Sequence, residues 1–180
     1  MKKFIFGLIA GLLVTPICVL VYFYAGLVPV ATSAPPMPFE KKLAHIGLNA
    51  KIDKEAPRNA PFTPDEQAYV AGAQLYMQHC AVCHGTPQQE PTAIAKGMYP
   101  DPPQLFKGKG VTDDSAGETY WKVSNGIRLT GMPAFEKSLS TQQMWQVSLL
   151  LANADKLPAS ALQALSGPAK TVDTPKDKVK

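Results

Sequence analysis

No charged side chain occurs between Lys3 and Glu40. The first part of this uncharged stretch, Phe4 to Val30, is apolar almost throughout. As a helix, its 27 residues would rise roughly 40 Å, enough to cross a hydrocarbon core of about 30 Å. Lys2 and Lys3 precede the apolar run, which predicts that this end stays in the cytoplasm and that everything after Val30 faces outward. Tyr22, Phe23 and Tyr24 fall near the far interface, where amphipathic rings prefer to sit. A cleaved signal peptide is the competing reading, with Ala31-Thr-Ser-Ala34 as a small-residue cleavage site. The apolar part of such a peptide is usually about 7–15 residues, shorter than the run here, so a retained anchor over residues 1–30 is expected. Cys18 lies inside it as an inert thiol.

Other absences narrow the field further. No Lys/Arg cluster is interleaved with aromatics, so nucleic acid is not an expected partner. The formal net charge of +4 is unevenly spread. Residues 63–157 carry 7 Lys/Arg against 9 Asp/Glu, a mildly acidic block between basic flanks. No paired carboxylates, phosphate-binding loop or nucleophile–base constellation stands out, so catalysis by this chain alone is not indicated. No convincing alternating strand and no internal repeat can be found, which leaves an all-α fold class.

The 180 residues include 17 prolines, clustered at 29–64 and again at 91–103. Residues 31–62 read as a Pro-rich tether with little apolar periodicity. Phe39, Leu43 and Ile46 are apolar at roughly helical spacing, so part of the tether is expected to pack along the domain; His45 reads as solvated. The domain itself is assigned to 63–157. Its first helix is expected at Thr63-Pro-Asp-Glu66, with Thr63 as cap, Pro64 in the first turn and Glu66 completing a capping box. Tyr69, Ala73, Tyr76, Cys80 and Cys83 then fall on one helical face. A second helix is predicted from Ser115, with Glu118 three residues on, to Gly126. A third should start at Ser140, with Gln143 in the box position, and carry Met144, Trp145, Val147, Leu150 and Leu151. Residues 158–180 are expected to hold a short helix around Leu162 to Leu165 and then a disordered lysine-rich tail.

The chemistry concentrates in Cys80-Ala-Val-Cys83-His84-Gly85. Two thiols three residues apart with an imidazole behind them suit a zinc site, a redox dithiol or a covalently held haem. Zinc needs about four ligands, and past the anchor only these two cysteines and three histidines (His45, His79 and His84) are available. A redox dithiol usually follows a strand in a βαβ unit, whereas this motif ends a helix. Haem attachment accounts for every part. Two thiols add to two porphyrin vinyl groups, one helical turn sets both along one porphyrin edge, and the histidine supplies an axial ligand.

A second axial ligand would come from a methionine. Of the six methionines, Met1 and Met37 lie outside the domain, and Met77 and Met144 sit on helices and read as core, which leaves Gly97-Met98-Tyr99-Pro100 and Gly131-Met132-Pro133-Ala134-Phe135. Met132 is favoured over Met98. It stands 48 residues beyond His84, far enough to pass around the ring edge, and its glycine and proline neighbours suit a ligand-presenting loop.

Over residues 63 to about 157 the chain resembles the class I c-type cytochromes, particularly membrane-tethered bacterial mono-haem forms. The resemblance is carried by Cys80-x-x-Cys83-His84, by Gly131-Met132-Pro133-Ala134-Phe135, and by Gly72 and Tyr76. It implies a cytochrome c-like domain in which the first and last helices cross closely at Gly72, with Val147 and Leu150 as the matching contacts. The family often has an aromatic at the second of these positions, so this chain departs from the pattern there. The resemblance also implies that Pro102-Pro103-Gln104-Leu105 lies on the histidine side, the Pro103 carbonyl accepting the His84 Nδ1 proton. Trp121 and Arg128 are candidates to reach the haem propionates, and Phe135 to line the haem. One covalent haem c, His84/Met132 ligated, would make a one-electron carrier on the periplasmic face of a bacterial inner membrane, working between redox proteins in the same membrane or periplasm. The alternative function is that of haem-bearing subunit of a membrane oxidase or dehydrogenase complex. A sensor or peroxidase with an open iron site would require Met132 not to bind.

Overall fold

The computed structural model describes residues 2–108 and 111–167. These residues are helical, with no strand among them. They divide into two units, Met1–Ala44 and His45–Lys180. The first unit holds α1 (Lys2–Tyr24), which by length and composition can cross a bilayer, as an anchor or as a signal sequence. None of its residues is buried. Pro16 lies within it, and the Thr15 hydroxyl donates to the Gly11 carbonyl at 2.8 Å, one turn back on the same helix.

α2 (Glu40–Glu55) runs through much of the segment read as a Pro-rich tether. Its sequence conceals the helix because the apolar residues fall on two opposite sides. Phe39, Leu43 and Ile46 line one side and are well exposed; Leu48 and Ile52 line the other, and Ile52 is buried at 4% exposure. A helix with apolar residues on both sides has no single stripe for periodicity to find. Beyond α2, the second unit holds its incoming segment firmly. The Trp121 indole N–H donates to the Glu55 carboxylate at 3.2 Å. Pro57 lies so close to Gly117 that a Cβ there would meet the Pro57 carbonyl at 1.7 Å. Gly117→Ala is therefore expected to push this segment outward. Pro57 lies outside any helix, but the blocking atom is backbone, so the cost should be about 1–3 kcal/mol, the range for overpacking. Trp121 fluorescence should change while the visible spectrum stays as it was.

The core is built on α3 (Glu66–His79), α6 (Ala116–Asn125) and α7 (Thr141–Ala152); α3 packs on α7, and α6 on α7. The cap of α3 differs from expectation. Asp65, not Thr63, accepts from the Ala68 N–H, at 2.7 Å; a carboxylate next to the first turn also complements the positive end of the helix. The other starts fall where the sequence placed them. Ser115 caps α6 through the Glu118 N–H. Ser140 and Gln143 form a reciprocal box at α7, with bonds of 2.8 and 3.3 Å. α8 (Ala159–Ala164) follows Pro158 and packs on α3. The lysine-rich tail beyond Gly167 lies outside the described residues.

α3 and α7 meet at Gly72. A Cβ there would lie 2.4 Å from the Gln146 carbonyl oxygen and 3.3 Å from the Leu150 Cβ. The close partners are thus the Gln146 backbone and Leu150. Val147, also expected as a contact, is buried at 1% exposure in the same core as Tyr76 and Leu150. With no side chain at 72 the two backbones come close enough for Tyr76, Val147 and Leu150 to be wholly buried, each burial stabilising by about 1.5–3 kcal/mol.

Candidate functional site

The run of residues from Tyr69 to Cys83 does not stay one helix. At Cys80 the backbone leaves regular helical geometry (φ −113°, ψ −39°), and a separate turn, α4 (Ala81–His84), begins. The N–H groups of Cys83 and His84 both donate to the Cys80 carbonyl, at 3.0 and 2.9 Å. Both thiols and the imidazole therefore ride on one tight turn. Tyr76 holds that turn from inside the core: its hydroxyl donates to the Gly85 carbonyl at 2.7 Å, and its ring meets Phe106 edge-on at 5.0 Å. Sequence reading treated Tyr76 as packing alone. The available signal was that a tyrosine on a buried face needs a partner for its hydroxyl. Burial raises the Tyr76 phenol above its usual range, so it remains a neutral donor.

Cys80 and Cys83 are half-buried and not disulfide-bonded. Burial pushes the Cys80 thiol up to about 12, with the neighbouring Cys83 adding to the effect. Burial raises Cys83 as well. Redox dithiols work through a thiolate of lowered pKa, the opposite direction to the one burial gives here. Among the described residues no group of three or more His, Cys, Asp and Glu side chains is placed to share a metal ion, which leaves zinc short of ligands.

The third member of the motif has a fixed tautomer. His84 Nδ1 lies 2.8 Å from the Pro103 carbonyl. A carbonyl can only accept, so Nδ1 carries the proton and Nε2 keeps its lone pair. Burial lowers the His84 pKa, outweighing the opposite pull of Pro103, and the ring stays neutral. Next to Pro103, Leu105 and Phe106 pack on the core. Between Pro103 and Leu105, the Gln104 amide nitrogen is buried without a partner among the described residues, and its oxygen lies against Gly85.

Met132 is presented by a loop closed upon itself. α6 ends at Gly126 with φ +65°, and a Cβ there would meet Ala134 N at 2.6 Å. Both facts require glycine. The Ile127 N–H donates to the Met132 carbonyl at 3.2 Å. The Thr130 hydroxyl donates to the Ile127 carbonyl at 2.7 Å and accepts from the Met132 N–H at 3.1 Å. Phe135 N–H, donating to the Val123 carbonyl at 3.0 Å, ties the loop back to α6. Met132 is half-buried and packs on the same core as Cys80, Leu105 and Phe135. The Phe135 ring meets His79 at 5.9 Å. Two further expected residues are placed as follows. Trp121 gives its indole N–H to Glu55, and Arg128 is exposed on the loop.

The residues present suit a covalent porphyrin: two uncommitted thiols on one turn, a histidine with Nε2 free, and a sulfur on a separate rigid loop. A family model described as cytochrome c oxidase, cbb3-type, subunit III matches residues 67–149. This stretch is a class I cytochrome c domain. Such a domain binds c-type haem covalently and transfers electrons. The chain is also similar to the quinohemoprotein alcohol dehydrogenase ADH IIB of Pseudomonas putida. The two are 28% identical over 126 residues, covering 64% of this chain and 16% of that protein. The cytochrome domain here therefore spans only about a sixth of that dehydrogenase's length. A chain of the reducing HAO-like protein complex of Kuenenia stuttgartiensis aligns with 23% identity and a TM-score of 0.46, covering 57% of this chain and 52% of that one.

Proposed function

We propose that this chain is a one-electron carrier held by α1 at the periplasmic face of a bacterial inner membrane. In this reading Cys80 and Cys83 would hold the haem covalently through their sulfurs, and His84 Nε2 and the Met132 sulfur would be the ligands offered to its iron. When bound, the haem supplies one iron that cycles between ferric and ferrous. The chain does the rest. The Pro103 carbonyl keeps His84 Nε2 unprotonated, and the Thr130–Ile127 bonds hold the Met132 loop in one shape. The Tyr76 hydroxyl keeps the attachment turn from shifting against α3. A site built of restrained parts needs little rearrangement when an electron arrives, which suits transfer between proteins. The mildly acidic 63–157 segment favours weak, salt-sensitive docking.

The observation that carries the reading is the pairing of a neutral His84, aligned by Pro103, with a hydrogen-bonded Met132 loop. Met132→Ala tests it. The oxidised variant should lose its sulfur-to-iron charge-transfer band and bind added imidazole readily. Its reduction potential should fall, by about 59 mV for each tenfold by which the thioether had favoured ferrous over ferric iron. An unchanged spectrum and potential would remove Met132 as ligand.

A second reading makes the chain the haem-bearing subunit of a membrane oxidase or dehydrogenase complex. It is favoured by the oxidase-subunit description of the matching family and by the dehydrogenase to which the chain is similar. Mild detergent extraction separates the two: a carrier purifies alone, a subunit with stoichiometric larger chains.

A further inference from the structure

We infer that Met98 is a positioning residue that fixes the register of the Met132 loop against the His84 turn. The inference rests on the His84/Met132 reading above. Its starting point is a contact between two loops far apart in sequence. A Cβ built on Gly131 would lie 2.8 Å from the Met98 sulfur, 3.1 Å from its Cε and 3.7 Å from its Cγ. The thioether thus occupies the space that a side chain at 131 would fill, directly against the backbone that leads into Met132. An unbranched, polarizable thioether suits such an irregular gap.

Met98 is itself anchored at its other end. It follows α5 (Ala93–Lys96), capped by Thr92 through the Ala95 N–H, and its own N–H donates to the Ala95 carbonyl at 3.1 Å. The Thr92 hydroxyl donates to the Val82 carbonyl at 2.6 Å, and Val82 lies in α4 between the two cysteines. A continuous protein path therefore joins the two proposed ligands: His84 on α4, Val82 to Thr92, α5 to Met98, and Met98 across Gly131 to Met132. Sequence weighed Met98 only as a rival ligand. Its place in the fold makes it the spacer between the turn and the loop.

The test uses oxidised holoprotein titrated with imidazole, which competes with the Met132 sulfur, followed in the visible spectrum alongside denaturant unfolding. Met98→Ala should weaken the sulfur charge-transfer band and lower the imidazole concentration for half-displacement by about tenfold or more, as for other residues that support a metal ligand. Met98→Leu, close in volume, should fall between that variant and wild type. Gly131→Ala costs little fold stability, because the flexible end of Met98 can swing aside. That movement takes the thioether out of the gap and should weaken the loop's support in the same direction, which covers a Met98→Ala protein that does not accumulate. Wild-type imidazole affinity in Gly131→Ala and in every Met98 variant obtained, whatever their unfolding midpoints, overturns the inference and leaves Met98 as ordinary packing. Failure of the underlying reading looks different, because Met132→Ala would then keep its own band.

Discussion

Polypeptide carrying Cys80→Ala together with Cys83→Ala should come out of acid–acetone washing colourless, whereas wild type should stay red. Both sulfurs sit on one turn, with Cys83 and His84 N–H groups folded onto the Cys80 carbonyl, and neither is in a disulfide. Two thioether links survive denaturation, and non-covalent contacts with the porphyrin do not. The readout therefore needs no folded variant. The single replacements grade the effect. Each should leave one link, so colour remains, but an unreacted vinyl group extends the conjugation and moves the absorption of the denatured, alkaline pyridine complex to longer wavelength. Acid-stable colour in the double variant would mean that the haem is held elsewhere.

Gly72→Ala should be among the most destabilising substitutions in the domain, although alanine is the better helix former by about 1 kcal/mol. The added Cβ would lie 2.4 Å from the Gln146 carbonyl oxygen and 2.8 Å from its carbon. Those are backbone atoms in the middle of α7, with no flexible end that can swing aside. Relief requires α7 to move off α3, which uncovers Leu150 and Val147, now at 0% and 1% exposure. Overpacking of this kind costs about 1–3 kcal/mol and occasionally more, so the propensity gain is overcome. The melting temperature should fall by about 4–8 °C per kcal/mol for a domain of this size, and Gly72→Val should fall further. Distance alone does not rank these sites. Gly117 is nearer its neighbour, at 1.7 Å from the Pro57 carbonyl oxygen, yet should tolerate alanine better because Pro57 lies outside any helix. A Gly72→Ala protein as stable as wild type would show that the two helices can separate without loss.

Much of this architecture was legible because its signals are local. Ser115 and Ser140 announce helix starts by what their hydroxyls can reach three residues on, and the structure has both caps. Cys80-x-x-Cys83-His84 needs only its own spacing to raise the question of a haem. The parts that were not legible depend on distant partners or on patterns that cancel. Thr63 lost the cap of α3 to Asp65, two residues later: both side chains can cap a helix, and Asp65, with Ala68 at the box position, caps without a reciprocal partner. α2 was hidden by apolar residues on opposite sides of one helix, and only the docking of Ile52, Glu55 and Pro57 reveals it. The contact of Met98 with Gly131 joins residues in two separate loops, and no periodicity could have paired them.

The acceptor that orients His84 belongs to the main chain, at Pro103. Substitution at position 103 changes the ring or side chain and leaves the carbonyl in place, so a saturation scan would score this residue as expendable while its oxygen goes on working. The imidazole's orientation is thereby insulated from most single-codon change. What the lineage must preserve is the path of the loop, and the vulnerable alterations are insertions or deletions between Tyr99 and Leu105.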